Sequence, residues 1–262
     1  MCATCGCDQP EDHVKILLAG EKSEKSHHHE HHHSHDGHHH HDHTVVELEK
    51  DVLQKNNLLA ERNRGFLLAK NITAFNLVSS PGSGKTTLLV QTLKKLIPQF
   101  NVTVIEGDQQ TMNDADKIAE TSAKVVQVNT GKGCHLDAHM VLHAIEKLQP
   151  QNDSLLFIEN VGNLVCPSLF DLGEKERVVI FSVTEGDDKP IKYPTIFESA
   201  TACVIHKTDL LPYVDFDIEK AKDYALRVNP KLKFFEISST KETGFDDWLS
   251  YLKNNLTVPT MT

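Results

Sequence analysis

Three cysteines stand within the first seven residues, as Cys2-Ala3-Thr4-Cys5-Gly6-Cys7. Thiolates this close in sequence can wrap one soft or borderline cation, and loss of Met1 would free the α-amine of Cys2 as a fourth ligand. A second ligand-rich run follows, made of His27, His28, His29, His31, His32, His33, His35, His38, His39, His40, His41 and His43 and broken only by Glu30, Ser34, Asp36, Gly37 and Asp42. Neutral imidazoles suit Ni²⁺ and Zn²⁺, and so many on one segment favour storage capacity over selectivity.

The segment Ser79-Ser80-Pro81-Gly82-Ser83-Gly84-Lys85-Thr86-Thr87 has the chemistry of a phosphate cradle. Gly82 and Gly84, with Ser83 between them, let backbone N–H groups turn toward a β-phosphate. Lys85 brings a cation to the β- and γ-oxygens, and the Thr86 hydroxyl, followed by Thr87, is placed to ligate Mg²⁺. Ser79 stands where the P-loop pattern has its first glycine, which is tolerable if the backbone there keeps a negative φ. Two acids complete the reading: Asp108 in Glu106-Gly107-Asp108 and Glu159 before Asn160-Val161-Gly162, both as Mg²⁺ ligands and catalytic partners of Lys85, with Gly162 beside the γ-phosphate. In His206-Lys207-Thr208-Asp209, Asp209 can accept from the N1–H and 2-amino group of guanine. Lys207 flanks the base, and Ser239 in Ser238-Ser239-Thr240-Lys241 closes over it. His206 departs from the asparagine usual in the Asn-Lys-x-Asp motif.

A third constellation lies deeper in the chain. Cys134 and His135 in Gly131-Lys132-Gly133-Cys134-His135, together with Cys166 in Val165-Cys166-Pro167, follow two predicted strands and emerge at the same sheet edge as the phosphate loop, where they can share one metal ion. Cys203 sits in an apolar run and reads as a core thiol. His139 and His143 have the i, i+4 spacing of a metal-ligating pair, but read more simply as a partly exposed helix face.

These groups need a scaffold. Short β-rich runs at 75–78, 102–105, 125–128, 155–158, 178–183, 202–205 and 234–237 alternate with helical patterns at 137–148 and 217–228. Such alternation predicts an α/β fold, a mostly parallel sheet with helices on both faces. An amphipathic helix over 45–66, with Val45, Leu48, Val52, Leu59 and Phe66 on its apolar side, leads into this domain. Composition shifts abruptly at residue 44, giving two parts: residues 1–44 as a metal-binding tail, expected to be disordered without metal, and residues 45–262 as the nucleotide-binding domain. The formal charge of −10 argues against nucleic acid and anionic membranes. Clustered rather than paired cysteines and the lack of a long apolar run point to a cytoplasmic protein.

With these residues assembled, the chain resembles the HypB family, the hydrogenase nickel-incorporation GTPases of the SIMIBI class of P-loop proteins, nearly end to end. The resemblance rests on the Cys-x-x-Cys-Gly-Cys head, the His-rich stretch, Asn63-Arg64-Gly65, the 79–87 loop, Glu106-Gly107-Asp108, residues 131–135, residues 159–167 and Glu185-Gly186-Asp187-Asp188-Lys189-Pro190. It implies slow hydrolysis of GTP with Mg²⁺, GTP-dependent homodimerisation, a small zinc-binding partner protein, and delivery of nickel to the precursor of the [NiFe] hydrogenase large subunit. It also implies high-affinity nickel on Cys2, Cys5 and Cys7, and nickel or zinc on Cys134, His135 and Cys166. Other readings are a urease-type nickel GTPase, a nickel-storage protein with a vestigial GTPase domain, and a small-molecule kinase.

Overall fold

The computed structural model describes residues 15–18, 45–109 and 113–256. Cys2, Cys5, Cys7 and the 27–43 histidines lie outside them. All seven expected strands form, each a residue or more longer than its apolar run except at the end of the 178–183 run: β2 (Thr73–Ser79), β3 (Val102–Asp108), β4 (Lys124–Asn129), β5 (Leu155–Gly162), β6 (Glu176–Ser182), β7 (Ala202–His206) and β8 (Lys233–Ile237). They pair in parallel, in the order β4-β3-β5-β2-β6-β7-β8.

Residues before 44 also contribute to the sheet, contrary to the expectation of a wholly disordered tail. Lys15–Leu18 forms β1, an antiparallel edge strand on β4 with Ile16 opposite Val128 and Leu18 opposite Val126. Ile16 and Leu18 reach the apolar cluster under that edge, so even this four-residue run has something to bury.

Side chains alternate across the sheet. Phe75, Val104, Phe157, Ile180 and Val204 pack on one face with α2 (Lys85–Leu96), α3 (Asn113–Ala119) and α8 (Phe245–Asn254). Ile105, Val126, Leu156 and Ile158 face α1 (Val45–Ala69) and α4 (Ala138–Leu148) on the other. Farther along that face, Val179, Phe181, Cys203 and Ile205 meet α6 (Pro194–Ser199) and α7 (Ile218–Val228); the short α5 (Lys189–Lys192) precedes them. Asp137 and Asp217 cap α4 and α7 by accepting from Met140 N–H and Lys220 N–H, which starts each helix one residue after the sequence pattern does.

The leading helix α1 docks differently from its apolar pattern. Val52 is exposed, and the buried stripe is Asn56, Ala60, Asn63 and Leu67. Asn56 accepts from Ala138 N–H at 2.8 Å and donates to Asp171 O; Asn63 donates to Ala138 O and Leu172 O. Gly173 has φ +88°, and a Cβ there would lie 2.6 Å from Ala60 O, so the chain turns against α1 only with glycine. These bonds fix the start of α4, and with it the loop that carries Cys134 and His135. Among the described residues no helix is long and apolar enough to cross a membrane.

Candidate functional site

The phosphate loop joins β2 to α2 at the carboxyl edge of the sheet, beside the point where successive strands leave to opposite sides, the place where open α/β sheets bind ligands. It lines a cleft of about 440 Å³ together with Glu106, Asp108, Asp114, Glu159 and Gly162. Gly82 and Gly84 have φ +75° and +91°, whereas Ser79 is not among the positive-φ residues, so serine fits where the usual pattern has glycine. Lys85 Nζ lies 3.0 Å from Glu159 Oε1, and the Thr86 hydroxyl donates to the same oxygen at 2.6 Å. Thr86 Oγ also lies 3.0 Å from Asp114 Oδ2.

Asp114 was not legible as a site residue. It follows the expected Asp108 by six positions, in the first turn of α3, and only the fold brings it to Thr86. Asp108 itself stands in the cleft wall with its carboxyl accepting from Gln109 N–H at 2.7 Å. Glu106, one strand over and in register with Glu159, was likewise missed. Burial pushes its carboxyl up to about 9, with Glu159 and Asp108 nearby adding to the effect, and its Oε2 has no partner. Glu159 Oε2 and Ser83 Oγ are also buried and unpartnered at the cleft. Lone oxygens around a lysine, a threonine and open backbone amides match the needs of a triphosphate with Mg²⁺, which supplies charge neutralisation there.

His206 takes over the bracing of the loop. Its ring is buried, and Nδ1–H donates to Ser83 O at 2.8 Å, because a carbonyl can only accept. Nε2 then accepts from Ser239 Oγ at 2.7 Å. Burial lowers its pKa, so the neutral tautomer that both bonds require is the stable one. A Cβ on Gly84 would lie 2.6 Å from this ring, which makes glycine necessary for space as well as for φ. Lys207, itself at φ +60°, donates to Gly82 O at 2.7 Å, and Ser238 Oγ donates to Asp209 Oδ1 at 2.6 Å, fixing the carboxyl expected to select the base. Lys189, from the Glu185–Pro190 motif, donates to Ser80 Oγ at 3.2 Å.

The structure brings Cys134, His135 and Cys166 together. Cys134 Sγ and Cys166 Sγ are 2.7 Å apart, Cys134 Sγ is 3.8 Å from His135 Nδ1, and the three donor atoms all lie within 4.8 Å of one another. The His135 ring stacks on Phe170 at 3.9 Å, and burial lowers its pKa, leaving a neutral imidazole. Two thiols and one neutral imidazole suit a soft or borderline cation, with coordination positions left for water or another molecule. Asn163 Nδ2 donates to Cys134 O at 3.4 Å and so ties the two loops together. Cys203, by contrast, is fully buried in the core, where burial pushes its thiol pKa up.

A chain of hydrogen bonds runs from the phosphate cleft to the Cys134 and Cys166 loops. Asn160 follows Glu159 on β5, and its Oδ1 accepts from Leu136 N–H at 3.1 Å, one residue beyond His135. Its amide reaches Asn76 on β2, which donates to Glu174, and Glu174 pairs with Arg177. Arg177 in turn donates to Ser168 O and Phe170 O, beside Cys166 and under His135. This polar seam lies inside the sheet, between the two apolar clusters of one face.

Comparison with known proteins bears on the same residues. The model of the CobW/HypB/UreG nucleotide-binding domain matches residues 73–236. The hydrogenase maturation factor HypB of Escherichia coli K12 is 45% identical over 285 aligned residues, covering 97% of this chain and 98% of that protein. The crystal structure of HypB from Archaeoglobus fulgidus superposes with a TM-score of 0.72 at 40% identity, over 78% of this chain and 100% of that one. HypB from Helicobacter pylori, solved in complex with nickel, gives 0.71 at 35% identity over 79% and 99%. The chain therefore belongs to the HypB family of hydrogenase maturation factors, P-loop proteins of the SIMIBI type.

Proposed function

We propose that this chain hydrolyses GTP to control a nickel ion that it carries for [NiFe] hydrogenase maturation. One observation carries the reading: neighbouring residues of β5 serve both centres, Glu159 bonding Lys85 and Thr86 while Asn160 holds Leu136 N–H next to His135. A triphosphate competes with Glu159 for Lys85, so a change of nucleotide shifts the end of β5, and the Cys134 and Cys166 loops follow. Lys85, Asp108, Glu159 and Asp114 act on the phosphates and Mg²⁺, and Asp209 selects guanine. Cys134, His135 and Cys166 hold nickel or zinc. Turnover is slow because no arginine stands among the described residues that line the cleft.

The exposed Val165 and Leu169 beside Cys166 favour a GTP-dependent homodimer in which the second copy covers this face. The Cys2, Cys5 and Cys7 head and the 27–43 histidines then act as high-affinity and storage sites. A small zinc-binding maturation protein and the hydrogenase large-subunit precursor are the partners in the cytoplasm.

A coupling free energy of about 1–3 kcal/mol, typical of allosteric pairs, corresponds to a roughly 5- to 150-fold change in metal affinity between nucleotide states. Nickel and zinc titrations of the wild type and of Cys134→Ala, each with GDP and with a non-hydrolysable GTP analogue, test this, with GTP and ATP hydrolysis recorded on the same samples. Equal affinities in both nucleotide states refute the coupling; equal hydrolysis of ATP refutes the guanine assignment.

A further inference from the structure

A guanine base offers two kinds of group to a protein. Its N1–H and 2-amino group are donors, which the Asp209 carboxyl can accept, while O6 and N7 are acceptors that only a protein donor can read. Position 206 is where the Asn-Lys-x-Asp motif carries a primary amide, and this chain carries an imidazole. An amide has two N–H donors and an acceptor, enough to brace a neighbouring loop and still donate to N7. A neutral imidazole has one donor and one acceptor.

Both ring nitrogens of His206 are spent inside the protein. Nδ1–H donates to Ser83 O at 2.8 Å, and Nε2 accepts from Ser239 Oγ at 2.7 Å. Were the ring protonated, which burial opposes, the second N–H would face that same hydroxyl. The ring also has no room to turn. It is 2% exposed, its backbone pairs with Ser182 on β6 and Ile237 on β8, and a Cβ on Gly84 would lie 2.6 Å from Nδ1 and 2.7 Å from Cε1. The hydroxyls beside it are committed as well: Ser239 gives its proton to His206, and Ser238 gives its proton to Asp209 Oδ1 at 2.6 Å.

We propose that His206 makes guanine recognition blind to N7, so that this chain selects the base through Asp209 at the N1–H and 2-amino edge and leaves the five-membered-ring edge unread. The inference rests on the assignment of Asp209 to guanine made above.

The ring instead joins the turn after β8 to the phosphate loop through one rigid group, from Ser239 Oγ to Ser83 O. A loop braced in this way keeps its amides aimed at the phosphates without help from the base. Affinity is thereby drawn from the phosphates and from Asp209, and a change at position 7 of the purine leaves it untouched.

Competition of GDP, 7-deaza-GDP, IDP and ADP against a fluorescent GDP analogue, on the full chain with Mg²⁺, tests this. 7-Deaza-GDP replaces N7 by C–H and keeps N1–H, O6 and the 2-amino group, whereas IDP lacks only the 2-amino group. The wild type should bind GDP and 7-deaza-GDP within about twofold of each other, and IDP at least fivefold more weakly than GDP. His206→Asn restores a spare N–H and should favour GDP over 7-deaza-GDP about fivefold, the worth of one neutral hydrogen bond. His206→Gln takes its place if the asparagine variant does not bind GDP, and the wild-type ratio alone decides if neither does. A wild-type preference for GDP over 7-deaza-GDP of fivefold or more overturns the proposal and leaves the guanine assignment standing. A GDP-binding variant with the wild-type ratio also overturns it, because position 206 would then have no bearing on N7. Equal binding of GDP and ADP refutes the assignment of Asp209, and the proposal falls with it.

Discussion

Replacing Glu106 by glutamine gives a sharp test of the electrostatics of the phosphate cleft. Glu106 is 2% exposed, faces Glu159 and Asp108, and holds its proton up to about 9 rather than the ordinary 4.5. Ionising it inside the fold therefore costs on the order of 6 kcal/mol more than in the unfolded chain. The sign follows from proton counting. Between 4.5 and about 9 the folded state keeps a proton that the unfolded state has released, so the stabilisation is complete below 4.5 and is lost as pH rises through about 9. Over that window the slope approaches about 1.4 kcal/mol per pH unit, and from pH 7 to pH 9 the wild type should lose about 2 kcal/mol from this group alone. Glutamine has nearly the same shape and no proton to lose, so Glu106→Gln should match the wild type only below about pH 4.5, exceed it by about 3 kcal/mol at pH 7, and exceed it by about 5 to 6 kcal/mol at pH 9. Urea denaturation of both proteins across that range, without nucleotide and with chelator and reductant present, measures the difference while cysteine and histidine titrations cancel. Parallel stability curves would refute the reasoning, because Glu106 would then be ionised in the fold at neutral pH, and Glu159 and Lys85 would share a different charge balance.

Two further outcomes follow from the site. His206→Ala removes the partners of Ser83 O and Ser239 Oγ, and should cost about 2 kcal/mol of stability and at least tenfold in guanine-nucleotide affinity, as read by thermal unfolding and fluorescent GDP titration. Asp114→Asn keeps a polar group near Thr86 but loses its charge, and should weaken Mg²⁺-dependent GDP binding about tenfold while leaving Mg²⁺-free binding nearly unchanged; loss of both to the same degree would mean that Asp114 only supports α3.

The parts legible in the sequence are those whose signal is local. β-branched runs bounded by turn residues give strands, and a glycine-rich turn ending in Lys85-Thr86 gives a phosphate loop, since each depends on neighbours a few residues away. Cys134, His135 and Cys166 were legible because parallel topology sends every strand's carboxyl end to one edge, so two loops after β4 and β5 had to meet near the cleft. What escaped depends on contacts distant in sequence. The docking of α1 through Asn56 and Asn63 defies an apolar pattern, because the helix satisfies open backbone groups of Ala138, Asp171 and Leu172 rather than only covering a greasy surface. Asp114 looks like any acid in a first helical turn until α3 is placed beside Thr86. The retained proton of Glu106 is a property of its burial, which no spacing reveals.

A common thread joins the residues that matter most. Asn76, Glu106, Glu159, Asn160 and His206 are all buried polar groups within strands of an otherwise apolar sheet. Burying such groups costs free energy unless each finds a partner, so a sequence selected for stability alone would hold Val or Ile there. In this chain the partners are the phosphate loop for His206, Lys85 and Thr86 for Glu159, and the Cys134–Leu136 loop for Asn160. The polar interruptions of the strands thus mark the lines along which the nucleotide cleft and the thiol–imidazole centre are held to one another. Glu106, with one oxygen still unpartnered, marks the point where the cleft has most to gain from a ligand.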